Sequence, residues 1–224
     1  MDAILPAAGS AERMSGIPKF LLPVADDYKS LLENHIENLS QYCEKIYLST
    51  KPELVPIINS LNFDLKNIEV IEVQTKTMSE TVLETLTYSS SDSFMMIMPD
   101  TYFLDGNPYR DLNKNPEVAE LACWEIRDNQ RGKLGEVEFN SSGDITNIVD
   151  KKIDNGFQYA WGALTFSKKL IPFIDNKDPH IGYAIKNALK KKQIINAIKI
   201  NGKYFDCGTP SEYVELLEEV LLNK

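Results

Sequence analysis

With 224 residues, 33 of them acidic against 24 basic, the chain can bury a core unaided, and its formal charge of -9 argues against nucleic acid held on a broad basic face. Its apolar runs are too short to cross a bilayer. Cys43, Cys123 and Cys207 form neither a CxxC pair nor a Cys/His cluster, and no secretory leader is legible ahead of Asp2, so the reducing cytoplasm is the expected compartment.

In an acidic chain the few cations that accompany small residues carry information. The first apolar run, Ala3, Ile4 and Leu5, empties into Pro6, Ala7, Ala8, Gly9, Ser10 and Ala11, followed by Arg13 and then Pro18-Lys19. Small residues let backbone N–H groups face an anion, and a guanidinium with an ammonium supplies the countercharge a polyphosphate needs. The loop fits neither familiar phosphate pattern. No Lys-Ser/Thr pair follows Gly9, and Gly9 with Gly16 are too few for a dinucleotide fingerprint. The residue types alone allow a phosphate cradle or an ordinary strand-to-helix turn.

Further along, a helical face recurs over residues 30–42 (Leu31, Leu32, His35, Ile36, Leu39), and residues 45–49 read as a strand. A helix opened by Pro52, a strand over 68–73, a helix over 79–88 and a strand over 94–98 continue the alternation, which means βαβ units and a mostly parallel sheet. Ligands of such sheets bind beyond the carboxyl ends of the strands, so the 9–19 loop and Met98-Pro99-Asp100-Thr101 are expected to face one another. After Asp100 the pattern changes. Strands over 118–126, 134–139, 145–149 and 157–166, with a turn at 140–143, predict an antiparallel extension over one side of the pocket. The end returns to a helix (181–192), a strand (194–200), the segment 204–210 and a last helix (213–222) with Ser211 as its expected N-cap.

Asp100 ends an uninterrupted apolar strand, and Asp206 lies between apolar residues and a glycine turn. Two such carboxylates meeting in one pocket would make a hard-oxygen site for Mg²⁺ shared with nucleotide phosphates, whereas each alone also reads as a turn or cap residue. Asp150-Lys151-Lys152 reads as a solvated charge cluster, Trp161 and Tyr159 as core or stacking surfaces, and His35 and His180 as helix-face and turn residues. No arrangement for covalent catalysis is legible.

Taken together, these pieces resemble the nucleotidyltransferases that make nucleotide sugars from an NTP and a sugar 1-phosphate, over nearly the whole chain. Leu5-Pro6-Ala7-Ala8-Gly9-Ser10-Ala11-Glu12-Arg13-Met14 is similar to that family's L-A-A-G-x-G-x-R-[LM], and residues 18–24 to its P-K-x-L-x-P-[VI]. Met98-Pro99-Asp100-Thr101 stands where the family has G-D-N. Residues 134–139 with Gly143, Ile145, Ile148 and Asp150-Lys151 resemble Y-G-V-V-x-F…G-x-I…I-x-E-K-P. Residues 161–166 resemble G-x-Y-x-F, and 205–210 resemble W-x-D-x-G-T-P.

The resemblance implies an α/β fold, a Rossmann-like three-layer sandwich with a mixed, mostly parallel central sheet and a small antiparallel extension. It implies one domain over 1–224, with residues 1–110 as the nucleotide half and 111–224 as the acceptor half. Pro6, Ala7, Ala8, Gly9, Ser10 and Ala11 would wrap the triphosphate, with Arg13 on the leaving pyrophosphate and Lys19 near the α-phosphate. Gln74 and Ser79 would lie near the base, and Asp100 would bind both nucleotide and Mg²⁺, the latter with Asp206. Lys151 would bind the acceptor phosphate, with Gly135, Asp150 and Trp161 around the acceptor. The partners implied are small molecules, with a monomer or a homodimer as the assembly.

Three departures stand out: Ala11 replaces the second signature glycine, Lys152 replaces a proline, and Ser79 stands where glycine is frequent. A Cβ at residue 11 narrows the loop if its φ is positive. The compact Arg13-to-Lys19 spacing is closer to cytidylyl- and small uridylyltransferases than to thymidylyltransferases. A cytidylyltransferase for a non-sugar phosphate, or a nucleotide-binding regulatory homologue, is the alternative reading. A glycosyltransferase is disfavoured because Asp100-Thr101-Tyr102 lacks the second acid of a D-x-D motif.

Overall fold

The computed structural model describes residues 1–9, 11, 14–24, 28–61, 67–152 and 156–222. The first strand, β1 (Asp2–Ala7), is buried along its whole length, as a strand covered on both faces must be. It lies between β2 (Ile46–Thr50) and β4 (Ser93–Ile97), with β3 (Ile68–Glu72) beyond β2, and all four run parallel. On the other side of β4 comes β9 (Tyr159–Ser167), antiparallel, then β6 (Ala119–Glu125) and β10 (Ile195–Lys199), giving the order β10-β6-β9-β4-β1-β2-β3. The hairpin β7 (Gly135–Phe139) and β8 (Ile145–Asp150) attaches through β7 to β9. The antiparallel extension is therefore smaller than expected. The nine residues of β9 pair with β4, β6 and β7 at once, which draws both β6 and β9 into the central sheet.

Alternation along β1 assigns the layers. Ala3, Leu5 and Ala7 join one core with Leu32, Ile36 and Leu39 of α1 (Leu31–Leu39), while Ile4 joins the opposite core. That second core holds Val82 of α3 (Met78–Leu86) and Ala184, Ile185 and Ala188 of α5 (Gly182–Lys190). Helices on both faces of a mixed sheet form the expected three layers. Two N-caps fix where helices start: Ser30 forms a capping box with Glu33, and the Thr77 hydroxyl accepts the Glu80 N–H at 3.0 Å. The last helix begins earlier than expected, at Pro210, and its cap is Thr209 rather than Ser211. The Thr209 hydroxyl takes the Glu212 N–H and donates to Glu212 Oε2 at 2.9 Å, and proline suits the first helical position because it has no N–H to leave unpaired.

A further pair of strands was not legible in the sequence. β5 (Thr101–Leu104) and β11 (Lys203–Asp206) form a separate two-stranded antiparallel sheet with Thr101 opposite Asp206. It docks on the main sheet through aromatic rings. Phe103 stacks on Trp124 with centroids 5.0 Å apart, and Tyr204 stacks on Trp124 at 5.3 Å. Gly162 of β9 makes room, since a Cβ there would collide with the Tyr204 ring.

Beneath this sheet lies His35, fully buried, its Nδ1 2.6 Å from the Tyr109 hydroxyl. Burial lowers its pKa from 6.5 to about 4, against the opposing pull of the Thr101 backbone and the Asp100 charge. The folded protein thus keeps this imidazole neutral where the unfolded chain protonates it, and stability falls as pH drops from 6.5 towards 4. The loss reaches about 3 kcal/mol at the acid end. Denaturant midpoints measured from pH 7 to 4.5 should fall, and His35→Gln should flatten the slope; equal slopes would refute the assignment. Among the described residues no helix is long and apolar enough to cross a membrane.

Candidate active site

The parallel strands β3, β2, β1 and β4 all end at one cavity of about 600 Å³. Each contributes the segment beyond its carboxyl end. Pro6, Ala7, Ala8, Gly9, Ala11 and Lys19 come from the end of β1 and beyond, Lys51 and Glu53 from the turn after β2, Thr75 to Met78 from that after β3, and Met98 to Asp100 from that after β4. The two segments expected to face one another therefore do. Of the loop residues expected here, Ser10 and Arg13 lie outside the described residues.

Lys19 is anchored by its neighbours in the chain. It opens the short 3₁₀ turn Lys19–Leu21, in which Phe20 is buried in the core, so the ammonium has a fixed root. Its Nζ lies 2.9 Å from Asp100 Oδ2, with the two side chains 15% and 26% exposed. Asp206 is brought to the same place by the β5–β11 pairing, and the Cys207 N–H donates to the Asp100 carbonyl at 2.9 Å. The Cys207 thiol reports both acids: burial first, then the charges of Asp100 and Asp206, push its pKa upward. Asp100 lines the cavity and Asp206 stands beside it on the paired strand without lining it, and two such carboxylates could hold a Mg²⁺ that takes its remaining ligands from phosphates and water. Among the described residues no group of three or more His, Cys, Asp or Glu side chains forms an all-protein cage.

Ala11 has φ of 52°, in the left-handed region, so the departure from glycine falls where it matters sterically. Its carbonyl accepts the N–H groups of Met14 and Gly16, which closes the turn. Ala11→Gly should raise stability by about 1 kcal/mol, the relief of strain outweighing the added chain entropy, and should lower the KM for nucleotide. Melting curves and nucleotide kinetics check this; a destabilised Ala11→Gly would contradict it.

At the end of β3 the structure places Gln74 on the exposed surface and Ser79 in the interior, its hydroxyl without a partner among the described residues. Neither lines the cavity. The hydroxyls there belong to Thr75, Thr77 and Thr81, none of them expected from the sequence, and the first and last are hydrogen-bonded to each other. The small, alternating polar residues around the start of α3 were the available signal.

The residues expected around the acceptor meet at a second place. Gly135 and Asp150 are opposite one another in the β7–β8 ladder, and Trp161 covers Gly135 so closely that a Cβ there would collide with the indole nitrogen. That nitrogen is buried without a partner among the described residues. Lys151, exposed and also left-handed at φ 46°, comes directly after Asp150 and donates its N–H to the Leu134 carbonyl. The Asp150 carboxyl is raised by burial, but His180 and the Lys151 charge outweigh this and hold it below the ordinary carboxylate range. These residues do not line the cavity at the ends of the parallel strands.

The fold is that of a nucleotidyltransferase. The chain belongs to the family described as the MobA-like NTP transferase domain, which matches residues 3–191. It is 27% identical over 238 residues to the bifunctional protein GlmU of Methanococcus aeolicus, covering 100% of this chain and 55% of that protein, and 25% identical over 236 residues to GlmU of Methanocaldococcus jannaschii, with the same coverage. The chain thus spans about half the length of these curated relatives. Among solved structures, UTP-bound UGPase from Acinetobacter baumannii superposes with a TM-score of 0.80 at 20% identity, covering 100% of this chain and 94% of that one. The inositol-1-phosphate CTP transferase from T. maritima does so at 0.80 and 18%, covering 98% and 95%. At these identities the likeness is one of fold.

Proposed function

We propose that this chain transfers a nucleotidyl group from an NTP to a sugar 1-phosphate in a Mg²⁺-dependent reaction that releases pyrophosphate. The observation that carries this reading is the meeting of the small-residue loop, Lys19 and Asp100 at the end of four parallel strands, with Asp206 on the strand paired next to Asp100. The backbone of Ala7, Ala8, Gly9 and Ala11 lies along the triphosphate, with Arg13 and Lys19 supplying countercharge. Asp100 and Asp206 hold the metal, which when bound supplies charge neutralisation on the phosphates.

An oxygen of the acceptor phosphate attacks the α-phosphorus in line, the bond to the β-phosphate oxygen breaks, and pyrophosphate leaves with its electron pair. No bond to the protein is needed. The protein's work is to hold two polyanions together against their repulsion and to stabilise the charge that develops, with one fixed cation such as Lys19 worth about 2–4 kcal/mol in the barrier. Residues 1–110 form the nucleotide half and 111–224 the acceptor half, where Lys151 takes the phosphate and Gly135, Asp150 and Trp161 surround the rest of the acceptor.

A second reading, CTP with a cyclitol or polyol phosphate, is supported by the compact Arg13-to-Lys19 spacing. Pyrophosphate release should be measured for four NTPs against hexose 1-phosphates, inositol 1-phosphate, glycerol phosphate and phosphocholine. Release with a hexose 1-phosphate is the expected result. Release with inositol or glycerol phosphate alone selects the second reading, and NTP binding without release from any pair makes the chain a nucleotide-binding module.

A further inference from the structure

Between the 3₁₀ helix Lys168–Phe173 and α5, the chain runs past both parts of the site. The Asn176 carbonyl accepts the Thr77 hydroxyl at 2.7 Å and the Pro179 carbonyl accepts the Met78 N–H at 3.2 Å, and Thr77 and Met78 line the nucleotide cavity. One residue on, His180 reaches the acceptor strands, with Nε2 3.0 Å from Asp150 Oδ2 and side chains 17% and 28% exposed. Its Nδ1 accepts the Gly182 N–H at 3.2 Å, so the proton of the neutral ring sits on Nε2 and faces the carboxylate. Gly182 gives the ring its place, because a Cβ there would stand 3.0 Å from the imidazole and 3.4 Å from Trp161.

The contact with Asp150 is close but off line, and among the described residues Nε2 has no partner that meets the angular demands of a hydrogen bond. Such bonds are often poorly aligned before substrate is in place and tighten with it. Oδ1 of Asp150 has no side-chain partner among the described residues.

We propose that His180 is a positioning residue for the acceptor: its Nε2–H holds the Asp150 carboxylate so that Oδ1 accepts a hydroxyl of a polyhydroxylated phosphate, the class of sugar and cyclitol phosphates. The inference rests on the proposed reaction. A hydroxyl donates into the remaining oxygen, whereas a deoxy acceptor leaves a half-buried charge without its bond, a loss that sites built around hydroxyls discriminate strongly against.

The test is steady-state pyrophosphate release at saturating NTP for wild type, His180→Leu, His180→Gln, Asp150→Asn and the double variant His180→Leu/Asp150→Asn. His180→Leu should raise the KM for the acceptor about ten- to hundredfold and leave that for NTP unchanged. His180→Gln, which keeps an N–H at similar reach, should restore most of it, and in the Asp150→Asn background the leucine should add little. An unchanged acceptor KM, or the full effect without the carboxylate, overturns the proposal. Should His180→Leu fail to fold, His180→Asn, too short to reach Asp150, takes its place. Carbon-13 titration of the Asp150 carboxyl reads the brace without turnover and should move upward in His180→Leu. If wild type fails to release pyrophosphate with every acceptor tried, the proposed function fails and that titration decides alone, an unmoved carboxyl overturning the brace.

Discussion

Asp100→Asn is expected to lower pyrophosphate release by about 10²–10³-fold, and Asp206→Asn to do the same, with little change in melting temperature. The amide keeps the shape of the side chain and removes the charge that meets Lys19 at 2.9 Å and that would hold the metal beside its partner acid. Stability should survive because a single partly exposed ion pair contributes only about 0–1 kcal/mol. Rates measured across a Mg²⁺ series separate a weakened metal site from a misfolded one: recovery at high Mg²⁺ with an unchanged melting curve is the signature. Full turnover in either variant at low Mg²⁺ would remove the metal assignment.

Trp124→Ala is expected to cost about 3–5 kcal/mol of stability, which for a chain of this size lowers the melting temperature by roughly 6–20 °C. Trp124 is 1% exposed and stacks on both Phe103 and Tyr204, the rings by which β5 and β11 dock on the main sheet. Removing it leaves a cavity beneath the strands that flank Asp100 and Asp206, so the folded fraction should also turn over more slowly. Denaturant unfolding combined with kinetics well below the new midpoint tests both halves. An unshifted midpoint would show that the stack contributes nothing.

Range and pattern decide how much of this molecule is legible from residues alone. β1 and β4 were legible because strands covered on both faces are continuous apolar runs, and α1 because its buried residues recur on one face. The phosphate loop was legible because small residues and two cations are rare company in an acidic chain. β5 and β11 were not: each has four residues, and their pairing joins positions about a hundred residues apart, which no local period records. The same holds for His180, whose partner Asp150 is set by the packing of α5's approach against β8 rather than by spacing. Thr209 was missed as a cap because Ser211 offers the same chemistry two residues later, and only the observed start of the helix separates them. Conversely, the left-handed φ of Ala11 shows that a departure from a motif can be located in sequence while its steric cost waits on geometry.

The β5–β11 clasp has a bearing on how the protein comes into being. The walls of the nucleotide cavity lie almost wholly within the first hundred residues, yet Asp206 joins Asp100 only through a strand that is synthesised much later. A chain still short of that strand lacks the second of the two carboxylates proposed to hold the metal. Under the proposed function, the paired acids are therefore complete only once β11, late in the chain, has closed on β5.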